Sequence, residues 1–202
     1  MAVASGIEPA GRVDKFVERR RALAWDALHA LGETGYARTS LREIALSSGS
    51  SHGVFHYYFK DKADLIACCV LLYKEHCISH YDEVTARTTS AEVIEGFVER
   101  LSASIVQDAN LHRLWYDMRA QSLFEPAFRA DVAEIDAKLQ LLIWRIVSRS
   151  AELSGKPLAL DPALLYALVD GIFARCLIDY TSGNAAAITT MQTQIRELIA
   201  RF

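Results

Sequence analysis

The sequence predicts an all-α protein divided into two domains. Three observations carry that prediction. Only 4 prolines occur in 202 residues, which leaves long stretches with no helix breaker. Apolar residues recur at three- and four-residue spacing, and no alternation of apolar and polar residues lasts for the length of a strand. Hydrophobic residues make up 51% of the chain, enough at this length for a sizeable core, yet none of the apolar runs approaches a membrane span.

The elements follow in order. Residues 1–12 form a small, mixed arm without the apolar stretch of a secretion signal, so a cytoplasmic protein is expected, with Cys68, Cys69, Cys77 and Cys176 as free thiols. Phe16, Arg20, Leu23, Ala24, Ala27, Leu28 and Leu31 fall at helical spacing, and Gly32 to Gly35 is expected to stop that helix. Ser40-x-x-Glu43 is a capping box that opens a second helix with Leu41, Ile44 and Ala45 inward. Ser47-Ser48-Gly49-Ser50 reads as a turn. Ser51 then caps a short helix to about Tyr58, burying Phe55 and Phe59. Asp61 is the expected N-cap of a fourth helix running through Leu65, Cys68 and Leu72. Further helices are expected over 90–108, 110–124, 126–153, 162–181 and 185–201, with Thr89-Ser90 and Asp161-Pro162 as start signals.

A helix ending near Ser47, a tight turn with Gly49 and a short capped helix at 51–58 make a helix-turn-helix pattern. Ala45 is the small residue where two helices cross, and Gly49 serves the turn. Ser51, His52, His56 and Tyr57 offer polar groups able to reach phosphates and base edges. Charge is divided in the matching sense. Residues 1–62 carry a formal +2 and residues 63–202 a formal -5, although the whole chain is at -3.

The string Gly35-Tyr36-x-x-Thr39-Ser40-x-x-x-Ile44-Ala45-x-x-x-Gly49-x-Ser51-x-Gly53-x-Phe55-x-Tyr57-Tyr58-Phe59-x-Asp61-Lys62-x-x-Leu65 resembles the N-terminal domain of TetR-family transcriptional regulators. The resemblance implies a DNA-binding head at residues 1–62 and a ligand-binding and dimerisation domain at 63–202. It further implies a homodimer on a palindromic double-stranded DNA operator, a small-molecule inducer, and in most such proteins repression. Carried over by position, Ser40 and Arg42 stand on the second helix where a phosphate or base would be touched. Ser51, His52, Gly53, His56 and Tyr57 stand on the recognition helix, and Lys62 matches a phosphate-contacting lysine. His56 departs from the tyrosine usual at its place. Arg19, Arg20 and Arg21 are either a solvated helix face or further phosphate contacts.

In the body, Ile188, Met191, Ile195, Leu198 and Phe202 form an a/d-like stripe. With Leu164, Leu168, Gly171, Leu177 and Ile178 on the preceding helix it suits either an intramolecular core or, with the resemblance added, a four-helix dimer interface. Large side chains concentrate between residues 110 and 180, and Trp115, Gln121, Trp144 and Tyr166 are the expected ligand-binding residues. Segment 53–62 and the Trp115 region are also somewhat similar to choline-responsive betaine regulators, which would suggest a quaternary ammonium over aromatic faces. His76 and His80 lie four apart but no third ligand accompanies them at a set spacing, so no metal site is expected. No phosphate loop and no G-x-S-x-G is present, so neither catalysis nor a cofactor is expected. The competing readings are an all-α carrier or enzyme with a vestigial head, and a regulator answering to a protein partner.

Overall fold

The computed structural model describes residues 10–34 and 39–201. Part of the N-terminal arm, Gly35-Tyr36 and Phe202 lie outside the described residues. Among the described residues all regular structure is helical. The head comprises α1 (Ala10–Thr34), α2 (Leu41–Ser47) and α3 (His52–Tyr58). The body comprises α4 (Lys62–Ser79), α5 (Asp82–Thr85), α6 (Ser90–Gln121), a 3-10 turn at Pro126–Phe128, α7 (Arg129–Ser154), α8 (Pro162–Thr181) and α9 (Ala187–Ala200).

The local signals operate as their chemistry dictates. Ser40 Oγ accepts the Glu43 amide at 3.2 Å while the Glu43 carboxylate accepts the Ser40 amide at 2.8 Å, so two orphan donors of α2 are satisfied reciprocally. Asp61 accepts the Asp64 amide at 2.9 Å, and Asp161 accepts those of Ala163 and Leu164 ahead of Pro162. Gly49 has φ of 70°, a left-handed conformation that would strain a side chain in this turn.

The expected stops hold, and one expectation is corrected. α1 ends at Thr34, inside the Gly32–Gly35 segment expected to stop it. Gly32 also lets α6 approach, since a Cβ there would meet Leu111 Cδ2 at 2.7 Å. The break expected between 90–108 and 110–124 falls at Asp108, which leaves helical geometry (φ -129°, ψ 28°) and bends α6, and its second half ends at Gln121 rather than 124. The α9 stripe does not lie on a free face. Met191 and Ile195 are fully buried in the same chain, because Gln192 bonds Ser102 at 3.0 Å and Arg196 clasps Glu95 at 2.8 and 2.7 Å, turning the stripe onto α6. On α8, Leu177 is likewise internal, whereas Leu164, Leu168, Gly171 and Ile178 face outward.

Buried apolar residues form two clusters. The first joins Leu23, Leu28, Leu31, Ile44, Phe55 and Phe59 of the head to α4 and to Leu111, Leu114, Trp115 and Met118 of α6. The second joins Val93, Phe97, Val98, Leu101 and Ile105 of α6 to α7, α8 and α9. Tyr116 and Leu139 touch both.

Candidate nucleic-acid interface and ligand cavity

Two sites stand out, one on the outside of the head and one at that junction. On the head, α3 buries Phe55 and packs on Phe59, which presents Ser51, His52, Gly53, His56 and Tyr57 to the outside. Ser51 Oγ accepts the Val54 amide at 3.3 Å and so fixes the start of the helix. His52 and His56, one turn apart, meet Nε2 to Nε2 at 2.9 Å, which requires at least one of the two nitrogens to be unprotonated. A side chain at Gly53 would meet nothing within 4 Å, so the glycine leaves the backbone open to approach. Tyr57 is 68% exposed and leans edge-on against Phe16.

On α2, Arg42 is exposed and Ser40 is engaged in its cap. Lys62, at the first turn of α4, donates to the Thr39 carbonyl at 3.0 Å and so ties α4 to the chain entering α2. The arginine run is divided. Arg20 donates to the Tyr58 carbonyl at 3.2 Å and pairs with Asp64 at 2.5 Å, fixing α1 to the end of α3, and Arg21 pairs with Glu75 at 3.1 Å. Arg19 is exposed.

In the body a cavity of about 320 Å³ opens between the two clusters, at the low end of the range of small-molecule sites. Trp115 and Tyr166 line it, with Phe97, Leu101, Leu142 and Phe173. Gln121 and Trp144 do not. Gln121 ends α6, where its carbonyl accepts the Phe124 and Glu125 amides, and Trp144 packs half-buried against the second cluster. At one end of the cavity Arg119 pairs with Asp170 at 2.6 Å and Asp136 at 3.4 Å, while Tyr116 donates to Asp170 at 2.9 Å and Tyr166 to Asp136 at 2.5 Å. Burial and these carboxylates push both phenols up, so they stay protonated donors.

At the other end stand residues not expected as ligands. Lys74 is buried, and its Nζ lies 3.1 Å from His112 Nδ1. His112 Nε2 lies 3.0 Å from the Tyr73 hydroxyl. Burial lowers the Lys74 pKa to about 8, and burial together with the Lys74 charge holds His112 well below its ordinary value, so the imidazole is neutral. A lysine on a helix ordinarily reads as solvated. The available signal was its register, since Lys74 follows Ala67 and Val70 at helical spacing on the buried side of α4. His76 and His80 also face the cavity with rings 4.3 Å apart, but no cluster of three or more metal-ligating groups occurs among the described residues.

An all-α chain with an outward-facing helix-turn-helix and a hollow body belongs to a small set of designs. Residues 26–68 match the family described as bacterial regulatory proteins, tetR family, so the head is a tetR-type helix-turn-helix domain. Solved structures share the whole fold. A TetR transcription regulator from Haloarcula marismortui is 18% identical over 92% of this chain and 98% of that one, with a TM-score of 0.76. The transcriptional regulator FadR from Bacillus subtilis, solved with stearoyl-CoA, is 17% identical over 88% of this chain and 95% of that one, at 0.72. The fatty acid degradation regulator FadR from Bacillus halodurans is 16% identical over 89% and 94%, also at 0.72. No curated protein matches the sequence. No helix among the described residues is long and apolar enough to cross a membrane.

Proposed function

We propose that the protein is a cytoplasmic transcriptional regulator, a repressor, that binds a palindromic operator as a homodimer and lets go when a small molecule fills the body cavity. The observation that carries the reading is α3. Its inner side is anchored by Phe55, and its outer side offers His52, His56 and Tyr57 around a glycine that lets the backbone come close to DNA. Arg42 would read a base or a phosphate, and Lys62 a phosphate. Each protomer would place one α3 in a major groove, with half-sites about 34–36 Å apart.

The outward stripe of α8 supports the homodimer. Leu164, Leu168 and Ile178 are 50%, 38% and 58% exposed, and nothing lies within 4 Å of a Cβ built on Gly171, which leaves room for a helix of a second copy. Ligand relief is supported by α4, which carries Lys62 at its start and the cavity residues Lys74, Cys77 and Ile78 further along.

Gel shifts with the DNA flanking the gene test the reading. Salt-sensitive binding to a palindrome at low concentration is expected, and equal affinity for random DNA refutes it. Leu168→Glu should turn dimers into monomers in sedimentation velocity and lower operator affinity with them.

A further inference from the structure

The cavity wall holds a buried cation with no carboxylate in ion-pair range among the described residues. Lys74 is 4% exposed, and its Nζ sits 5.5 Å from the ring centres of both Tyr73 and Trp115. An ammonium can only donate, so His112 Nδ1 accepts from it and His112 Nε2 carries the ring proton, directed at Tyr73. Among the described residues His112 is the only side chain hydrogen-bonded to the Lys74 ammonium, which has three N–H bonds to give. The other cations nearby are in direct ion pairs: Arg100 with Glu83 at 3.1 Å, and Arg119 with Asp170 and Asp136, which act on Lys74 only from a distance. Burial, with Cys77 and Asp108 beside it, holds the Tyr73 phenol protonated.

We infer that the cavity takes a small, mainly apolar molecule bearing one carboxylate, which pairs with Lys74 Nζ while its hydrocarbon part lies among Phe97, Leu101, Trp115 and Phe173. The inference rests on the cavity being the inducer site. A buried charge without a direct ion pair is costly, and a carboxylate at Nζ supplies that pair. One ammonium without a direct partner suits one carboxylate, since Asp108 and Asp170 also line the wall but lie beyond ion-pair range of it. The quaternary ammonium considered from the sequence meets the opposite conditions. Lys74 would repel it, and the Trp115 face it needs already has Lys74 and Arg119 over it at 5.5 and 5.8 Å.

The test compares probes matched in shape on the full chain by titration calorimetry: phenylacetate and octanoate, the neutral phenylacetamide and octanamide, and the cations choline and benzyltrimethylammonium. At least one carboxylate should bind tenfold or more tighter than its amide, with both cations weaker still. Lys74→Met should abolish the preference for acid over amide, and it should also melt at a higher temperature than the parent, an outcome that a merely structural lysine would not give. Lys74→Gln, which can still donate to His112, should lose the preference too. An amide or ammonium that binds as well as the acids overturns the inference, as does binding by none of the six. So does a preference that survives both substitutions, or failure of both variants to fold by circular dichroism. DNA release is scored separately by fluorescence anisotropy. A carboxylate that binds through Lys74 yet leaves DNA affinity unchanged upholds the anion site and refutes ligand relief.

Discussion

Under the recognition helix, Phe55 and Phe59 are packed solid in one cluster with Leu28, Leu31 and Ile44, whereas around Lys74 the body leaves about 320 Å³ unfilled and keeps a charge out of water. The head must present a seven-residue helix that could not hold its shape alone, so every apolar side chain beneath it is spent on rigidity. The body can give up stability because α6, α7, α8 and α9 share a second cluster large enough to tolerate a hole. Stability is concentrated under the recognition helix and forgone around the body cavity.

The contrast is broken most severely from the head. Phe55→Ala should cost about 3–5 kcal/mol and abolish DNA binding. A urea titration showing a loss below about 1 kcal/mol would mean the head is not packed as described.

Lys74→Met comes next, with the opposite sign at neutral pH. Burial lowers the Lys74 pKa to about 8 from 10.5, so between these values the unfolded chain holds more protons than the folded one. Stability from this group therefore rises with pH across that window, is complete above 10.5 and is lost as pH falls through 8. The deficit near pH 7 is on the order of 3 kcal/mol, and Lys74→Met should remove it. Cys68, Cys69 and Cys77, pushed up by burial, oppose the trend at alkaline pH, so the measurement is the difference between parent and variant in denaturant midpoints from pH 7 to 10.5. A difference that stays flat would mean that Lys74 is not buried as an ammonium.

Smaller effects sharpen the boundary. Asp61→Ala removes the cap of α4 and should cost about 1 kcal/mol, seen as a fall of a few degrees in Tm. Lys62→Ala should weaken binding to every DNA sequence alike and lower the slope of log affinity against log salt by about 1, with its bond to Thr39 a minor loss. Arg42→Ala should instead alter sequence preference. If both variants scale all sequences equally, Arg42 touches only phosphate.

What could be read from the sequence was local. The capping box at Ser40 and Glu43, the caps at Ser51 and Asp61, and the turn at Gly49 depend on a few neighbouring residues and appear where expected. The α9 stripe was visible, but a pattern says only that Met191 and Ile195 must be covered, not by which chain. α1 ends within the Gly32–Gly35 segment as expected, but that Gly32 also admits a neighbour depends on Leu111, far along the chain. Of the four expected cavity residues, Trp115 and Tyr166 reach the wall. Lys74 escaped notice because charge is normally a mark of exposure, and its register on α4 has to be weighed against that habit.

The bend at Asp108 has a consequence for modularity. Residues on its N-terminal side, such as Phe97 and Ile105, belong to the second cluster, and those beyond it, such as Leu114 and Met118, belong to the head's cluster. The seam between the two packing units thus crosses the middle of a helix rather than the link at residue 62. A head excised at that link, or exchanged with a relative's by a cut there, would leave behind half of what covers it. A working graft would have to carry α4 and the second half of α6, which no single contiguous exchange can do without taking most of the cavity as well.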